Sequence, residues 1–287
     1  MPPHLPTPGP ALCSAAAILL LLLAGCAEDP VEPAPEGETA RTWDLRPRWT
    51  TDETYSVREE LKHLKGTGPF PGAAEIENRA ESTDRNVDIY DVRVIAAEES
   101  RLTAVERTYR NSVHTVDGAL VPTVVSGRKY SIEEPLGAIR IRRVEEDGTE
   151  AKLLPEEQPH VARFGLRLAA SLVPGVMVPE GATWRPGRSM EALAIRGGKG
   201  ARMVARLDRV EEEGGRRIAV VMAETDSRIM GEGNVELSLV IRETLRIDID
   251  RARLESYRSV TDRRYPAYRG QPKKWRRTIL TVTVTGE

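Results

Sequence analysis

The chain has 287 residues, 40% hydrophobic, 30% charged and only 5% aromatic, with a formal net charge of −2. This balance fits a folded globular protein and excludes a disordered chain, while two cysteines are too few for a disulfide framework or a cysteine-built metal site. With so few aromatics, Val, Leu, Ile and Ala must supply most of the core.

The first chemical signal lies near the start. Ala11 to Gly25 is an almost wholly apolar run of 15 residues, shorter than the ~18–20 a spanning helix needs. Beyond it no apolar run approaches that length. The run ends in Leu23-Ala24-Gly25-Cys26. Two small residues, Ala24 and Gly25, thus stand between Leu23 and the Cys26 thiol.

This segment resembles the signal peptide and lipobox of bacterial lipoproteins. The resemblance implies removal of residues 1–25, cleavage between Gly25 and Cys26, a diacylglyceryl group on the Cys26 sulfur and an acylated amine. Each buried lipid CH₂ contributes about 0.8 kcal/mol, so two or three chains on Cys26 hold a protein to a bilayer without a spanning helix. Met1 to Pro10 departs from the usual pattern, carrying no Lys or Arg and only His4 and the α-amine. Cys13 lies within the apolar run and is lost with it.

Residues 26–40 read as an acidic, Pro-rich tether. Three prolines and five acids fall between Ala27 and Ala40, so the stretch cannot bury apolar surface. No Lys or Arg precedes Arg41, which leaves the remainder with 42 basic against 39 acidic residues, or +3. That near-neutral balance gives no reason to expect nucleic acid. Ala27 stands where an enteric retention signal places Asp, which by analogy favours the outer membrane over the inner.

From 41 to 287 the chain reads as one β-rich domain. Val87 to Ile95 alternates with both faces partly apolar. Ile139 and Ile141 alternate with Arg140 and Arg142, and Met203, Ala205 and Leu207 with Arg206 and Asp208. Val235, Leu237, Leu239 and Ile241 begin a face that continues through Leu245, Ile247 and Ile249. Leu280, Val282 and Val284 alternate with threonines. Alternation of period two predicts strands with one buried and one wet face. Asp117-Gly118, Asp147-Gly148, Gly214-Gly215 and Asp250 to Arg253 mark turns between them.

Thr54 to Lys65 fits helix through Val57, Leu61 and Leu64 and strand through Tyr55, Val57 and Glu59; strand is preferred. Glu156 to Leu172, with Val161, Phe164, Leu168 and Leu172 on one face and Pro174-Gly175 as a stop, predicts a helix. The fold class expected is therefore mainly β: an antiparallel meander forming a curved sheet or half-barrel, with one or two short helices. A faint echo relates 41–154, which opens near Trp49, to 175–287, which opens near Trp184. The phrase Val178-Pro-Glu-Gly-Ala-Thr-Trp184 before a long strand series resembles β-rich bacterial envelope lipoproteins of half-barrel type. It carries over no functional residues.

Candidate chemistry is sparse. His63, His114 and His160 lie in separate segments without a second ligand at i+2 or i+4. No zinc-protease, nucleophile-elbow or Walker pattern occurs, and Gly197-Gly198-Lys199-Gly200 reads as a hairpin loop. Glu98-Glu99, Glu133-Glu134, Glu145-Glu146 and Glu211 to Glu213 read as solvated turns. Arg258 to Arg277 holds eight basic residues against Asp262 alone, interleaved with Tyr265, Tyr268 and Trp275. Within it Arg263, Arg264, Arg269, Lys273, Lys274, Arg276 and Arg277 are the candidate contacts with an anionic surface.

The function expected is a membrane-anchored envelope lipoprotein whose non-catalytic β-rich domain, in the periplasm or at the cell surface, binds a protein partner or an apolar ligand, with no cofactor. The alternatives are a lipid-handling half-barrel carrier and an enzyme with a site dispersed across strands.

Overall fold

The computed structural model describes residues 41–98, 101–116, 118–134, 139–162, 165–186, 203–230 and 236–286. Gly25, Cys26, the tether, Glu99, Asp117, Phe164, Gly197 to Gly200 and Val235 lie outside them, as does the side chain of Leu168.

Alternating burial organises the chain into long strands. β1 (Thr42–Trp43) precedes β2 (Thr54–Thr67), β3 (Ser82–Glu98) and β4 (Arg101–Val116), followed by the shorter β5 (Ala119–Pro122), β6 (Lys129–Glu133), β7 (Arg140–Val144) and β8 (Glu150–Ala151). Two short helices follow, α1 (Gln158–Val161) and α2 (Gly165–Ala170). The second half holds β9 (Val178–Pro179), β10 (Thr183–Trp184), β11 (Val204–Glu213), β12 (Arg216–Met230), β13 (Glu236–Asp248), β14 (Arg253–Tyr265) and β15 (Lys274–Gly286). Thr54 to Lys65 is thus strand throughout. The 14 residues of β2 expose alternate sides to core and solvent, and their helix-like spacing is incidental.

Among the described residues all pairing is antiparallel, in the order β10-β11-β12-β13-β14-β15-β2-β3-β4-β6-β7-β8, with β5 also on β4. The sheet is curved and does not close into a barrel. Within each half, sequence neighbours pair as hairpins. Gly214 and Gly215, with φ of 56° and 77°, make the two-residue turn between β11 and β12 that needs left-handed backbone twice. The halves meet where β15 lies against β2, from Lys274 opposite Thr67 to Gly286 opposite Tyr55. A second link is β1 on β9, with Trp43 opposite Val178.

The sequence predicts one helix over 156–172, but the structure has two short ones. Pro159 sits in the first turn of α1, and α2 begins at Gly165. Val161, Leu166, Ala169 and Leu172 are buried in the main core. They share it with inward residues of both halves, including Val57, Tyr90, Tyr109, Leu239, Leu245 and Val282. α2 contacts β4, β14 and β15, so the helical segment covers the inner face of the sheet. Trp184 Nε1 donates to the Leu172 carbonyl at 2.9 Å and fixes the exit of this segment.

A smaller cluster lies on the outer face. The 68–81 connection folds over the sheet and packs Phe70, Ile76 and Ala80 on Leu64, Trp275 and Ile279. The Trp275 ring lies directly against Gly66, where any Cβ would overlap it.

Gly165 is under the same constraint: a Cβ there would overlap Val282 and lie 3.2 Å from Glu59 Oε2. In an unconstrained helix Gly→Ala stabilises by ~1 kcal/mol. Gly165→Ala should instead destabilise by about 1–3 kcal/mol, the usual cost of overpacking. Urea denaturation of the variant checks the sign, and a gain in stability would mean α2 does not rest on β15.

Candidate functional site

Three inward strand positions carry a charge between apolar neighbours. They are Glu59 between Val57 and Leu61, Arg107 between Val105 and Tyr109, and Glu243 between Ile241 and Leu245. All three are buried, and Arg107 is completely so. Isolated charges there would be costly, and such groups persist when they are paired or hydrogen-bonded.

Their hydrogen-bond partners are chiefly tyrosines, and Glu59 also acts on Arg107 through its charge. Glu59 Oε2 accepts from Tyr90 Oη at 3.0 Å and from the Gly165 N–H at 3.4 Å. Arg107 donates to Tyr109 Oη at 2.8 Å, with its guanidinium 4.6 Å from the Tyr90 ring centroid. Tyr109 Oη donates to the His160 carbonyl at 3.3 Å. Burial works against the Arg107 charge, but Tyr109, Tyr90 and Glu59 outweigh it and hold its pKa above the ordinary value. Burial first, and then the Glu59 charge, push the Tyr90 hydroxyl well up.

A second node sits at the start of α1. Glu157 accepts from the Leu154 N–H at 2.7 Å, from Tyr130 Oη at 3.0 Å and from Arg128. Burial alone would raise its pKa, and these donors bring it below the usual carboxylate value. The third node is Glu243, bonded to Tyr257 Oη. Among the described residues no cation pairs with it, and burial raises its pKa despite the bonds from Tyr257 and Ser259.

Chemically this network ties helix to sheet. Its acids and tyrosines bond to each other inside the core rather than lining an open cleft. A small apolar cleft lies at the edge of the inner face, between β4, β6, β7 and α1. Leu102, Val105, Ile132, Ile139, Ile141 and Val161 line it, with Ile139 46% exposed.

The structure distributes the other sequence candidates. His114 and His160, far apart in the chain, come together with ring centroids 6.1 Å apart. His63 stands elsewhere, 3.0 Å from Thr278 Oγ1. No group of three or more His, Cys, Asp or Glu forms a metal-binding set among the described residues. The acid pairs expected as solvated turns are largely partners of arginines. Glu134 meets Arg101 at 2.9 Å, Glu211 meets Arg246 at 2.6 Å, and Glu145 pairs with Arg143.

The basic stretch is not a single long loop. Arg263 and Arg264 end β14, Lys274, Arg276 and Arg277 begin β15, and Arg269 and Lys273 occupy the connection. Arg277 is committed to buried Asp262 through bonds of 2.6 and 2.7 Å. Arg264 lies 4.5 Å from the Phe70 ring centroid and Arg269 5.0 Å from that of Tyr268.

No family model matches the chain, and no curated protein matches it. Among solved structures it is similar to DynF of the dynemicin biosynthesis pathway of Micromonospora chersina, at 10% identity over 90% of this chain and 92% of that one, with a TM-score of 0.21. It is also similar to an outer membrane channel of Pseudomonas putida F1, at 8% identity over 88% of this chain and 100% of that one, again with a TM-score of 0.21. Likenesses this low carry neither fold nor function across.

Glu243 gives a pH signature. Because burial raises its pKa, folding penalises the charged form of Glu243, so its contribution is fully present below the unfolded value of 4.5 and is lost as pH rises through the folded pKa. Glu243→Gln keeps an acceptor for Tyr257 and carries no charge at any pH. The variant should be more stable than the parent at pH 8, with the gap closing below about pH 4.5. Urea midpoints across pH 4–8 read this directly, and a gap independent of pH would contradict the assignment.

Proposed function

We propose that this chain is a membrane-anchored bacterial envelope lipoprotein whose β-rich domain is a non-catalytic binding module. The observation that carries the proposal is the Leu23-Ala24-Gly25-Cys26 box, directly after a 15-residue apolar run and before an acidic Pro-rich tether. On this reading residues 1–25 are removed, lipidated Cys26 is the first residue, and the outer membrane is the preferred location. No described helix is long and apolar enough to cross a membrane, so the lipid would be the attachment.

The binding reading draws support from the inner face. A lipid carrier of half-barrel type needs that face open, whereas here α1, α2 and their side chains occupy it. The buried acids bond to tyrosines and an arginine instead of converging on a substrate-sized cavity. What stays accessible is the small apolar cleft with Ile139 at its rim, a shape suited to an apolar side chain of a partner or a short acyl group. The basic residues of the β14–β15 region other than Arg277 supply a second surface, suited to anionic partners.

Mass spectrometry of the mature N-terminus from the native host tests the proposal. The expected species begins at Cys26 with diacylglyceryl and acyl additions, and Cys26→Ala should abolish both processing and membrane retention. A mature chain that keeps residues before Cys26, or lacks lipid on it, would overturn the anchor.

A further inference from the structure

The sheet has two poles. The domain begins at one: Arg48 donates to the Ala252 carbonyl at 2.7 Å, and Trp43 lies 5.4 Å from the guanidinium of Arg217, which pairs with Asp250. The β14–β15 connection lies at the other. β14 runs 13 residues between them, about 40 Å at 3.4 Å per residue.

Most arginines of the described residues meet a carboxylate, as in the pairs of Arg85 with Glu60, Arg110 with Asp91, Arg216 with Asp248 and Arg246 with Glu211. The far pole breaks this habit. Arg263, Arg264, Arg269, Lys273 and Arg276 have no carboxylate partner among the described residues. Two of them, Arg263 and Arg276, stand directly opposite each other across β14 and β15, and Lys65 stands opposite Arg276 on β2. Like charges in directly opposed positions destabilise a sheet. Lys65 is neutralised by Asp84 at 3.0 Å, whereas Arg263 and Arg276 have no such partner among the described residues and are best satisfied by an external anion.

We propose that this pole is a binding site for the anionic headgroups of a phospholipid bilayer, and that it engages a bilayer other than the one holding the lipid anchor. The cations do not converge on a pocket. Arg263 and Arg276 project from the inner face, Arg264 from the outer, and Arg269 and Lys273 from the tip, an arrangement that fits an extended surface better than a compact ligand. Tyr268, 44% exposed beside Arg269, adds an amphipathic ring of the kind that settles at headgroup level.

The opposed bilayer follows from length and charge, and this part rests on the lipoprotein reading. Reaching the anchoring membrane would invert the domain and stretch the 15-residue tether over about 40 Å of its ~50 Å maximum. The five acids of that tether also disfavour lying along anionic headgroups.

The full lipidated protein, reconstituted in neutral phosphatidylcholine vesicles, is mixed with vesicles containing phosphatidylglycerol, and vesicle–vesicle energy transfer is recorded. Bridging is expected, fading as salt rises from 50 to 500 mM. The combined change Arg264→Glu, Arg269→Glu, Lys273→Glu and Arg276→Glu should weaken it by about 600-fold or more, taking about fivefold per basic side chain. Arg→Gln and Lys→Gln replacements at the same positions should weaken it less, with unchanged circular dichroism. Flotation of the protein with neutral vesicles alone separately reads the anchor. If the anchor fails, preferential flotation with phosphatidylglycerol vesicles that the four changes abolish still supports the pole. Anchored protein that floats but never bridges overturns the opposed-bilayer geometry. No preference for phosphatidylglycerol, or equal competition by soluble polyglutamate at matched charge, overturns the headgroup site.

Discussion

The pairing of β15 with β2 is the contact on which the architecture depends. It joins the last strand of the chain to its first long strand over 13 opposed residue pairs, at the middle of the sheet. Without it the chain would be two open meanders, each with a bare central edge and half an inner face. With it, Val57 and Glu59 on β2 lie beside Val284 and Val282 on β15, and the inner face becomes wide enough to seat α1 and α2. Gly165 against Val282 and Gly66 against Trp275 show how closely both faces are packed along this seam. The seam is also non-local, closing a loop of more than 200 residues, so it is costly in chain entropy and must be repaid by the core it completes.

The inner face uses polarity as well as apolar packing. Glu59, Arg107, Glu157 and Glu243 are buried with tyrosines as their principal hydrogen-bond partners, and the Tyr90, Tyr109 and Tyr130 rings lie in a chain with centroids 5.3 and 5.7 Å apart. Tyrosine suits this role because its ring fills space while its hydroxyl reaches a carboxylate. The chain has only seven tyrosines. Four of them, Tyr90, Tyr109, Tyr130 and Tyr257, hydrogen-bond this network. A low aromatic content is here a concentrated one. The network fixes where the helical segment sits, since Gly165, His160 and Leu154 are held through backbone atoms, which do not depend on side-chain identity.

Much of the strand layout was legible from period two alone. β3, β7, β11, β13 and β15 lie where alternation placed them, and Gly214-Gly215 turns as its composition indicated. The segment 156–172 was legible as helical but not as the two short helices α1 and α2. The site was harder to read. Glu59, Arg107 and Glu243 did leave a trace, a charge at an inward position flanked two residues away by apolar ones, but in single strands this looks like an edge or an irregularity. Only the meeting of distant strands shows that the three share one face. The basic stretch was visible as composition, yet its division between a committed Arg277 and unneutralised Arg263 and Arg276 is a matter of register, which alternation does not fix. His114 and His160, 46 positions apart, gave no sign of meeting.

If the seam organises the fold, its hydrogen bonds should open only when the whole domain does. Native-state hydrogen exchange, followed by mass spectrometry over Val57 to Leu64 and Ile279 to Val284, measures this most directly. The account predicts that amides of both segments exchange together, at the slowest rate in the domain and with the same denaturant dependence as global unfolding. Faster exchange of β15 than of β13 and β3, with the two halves opening separately, would contradict it.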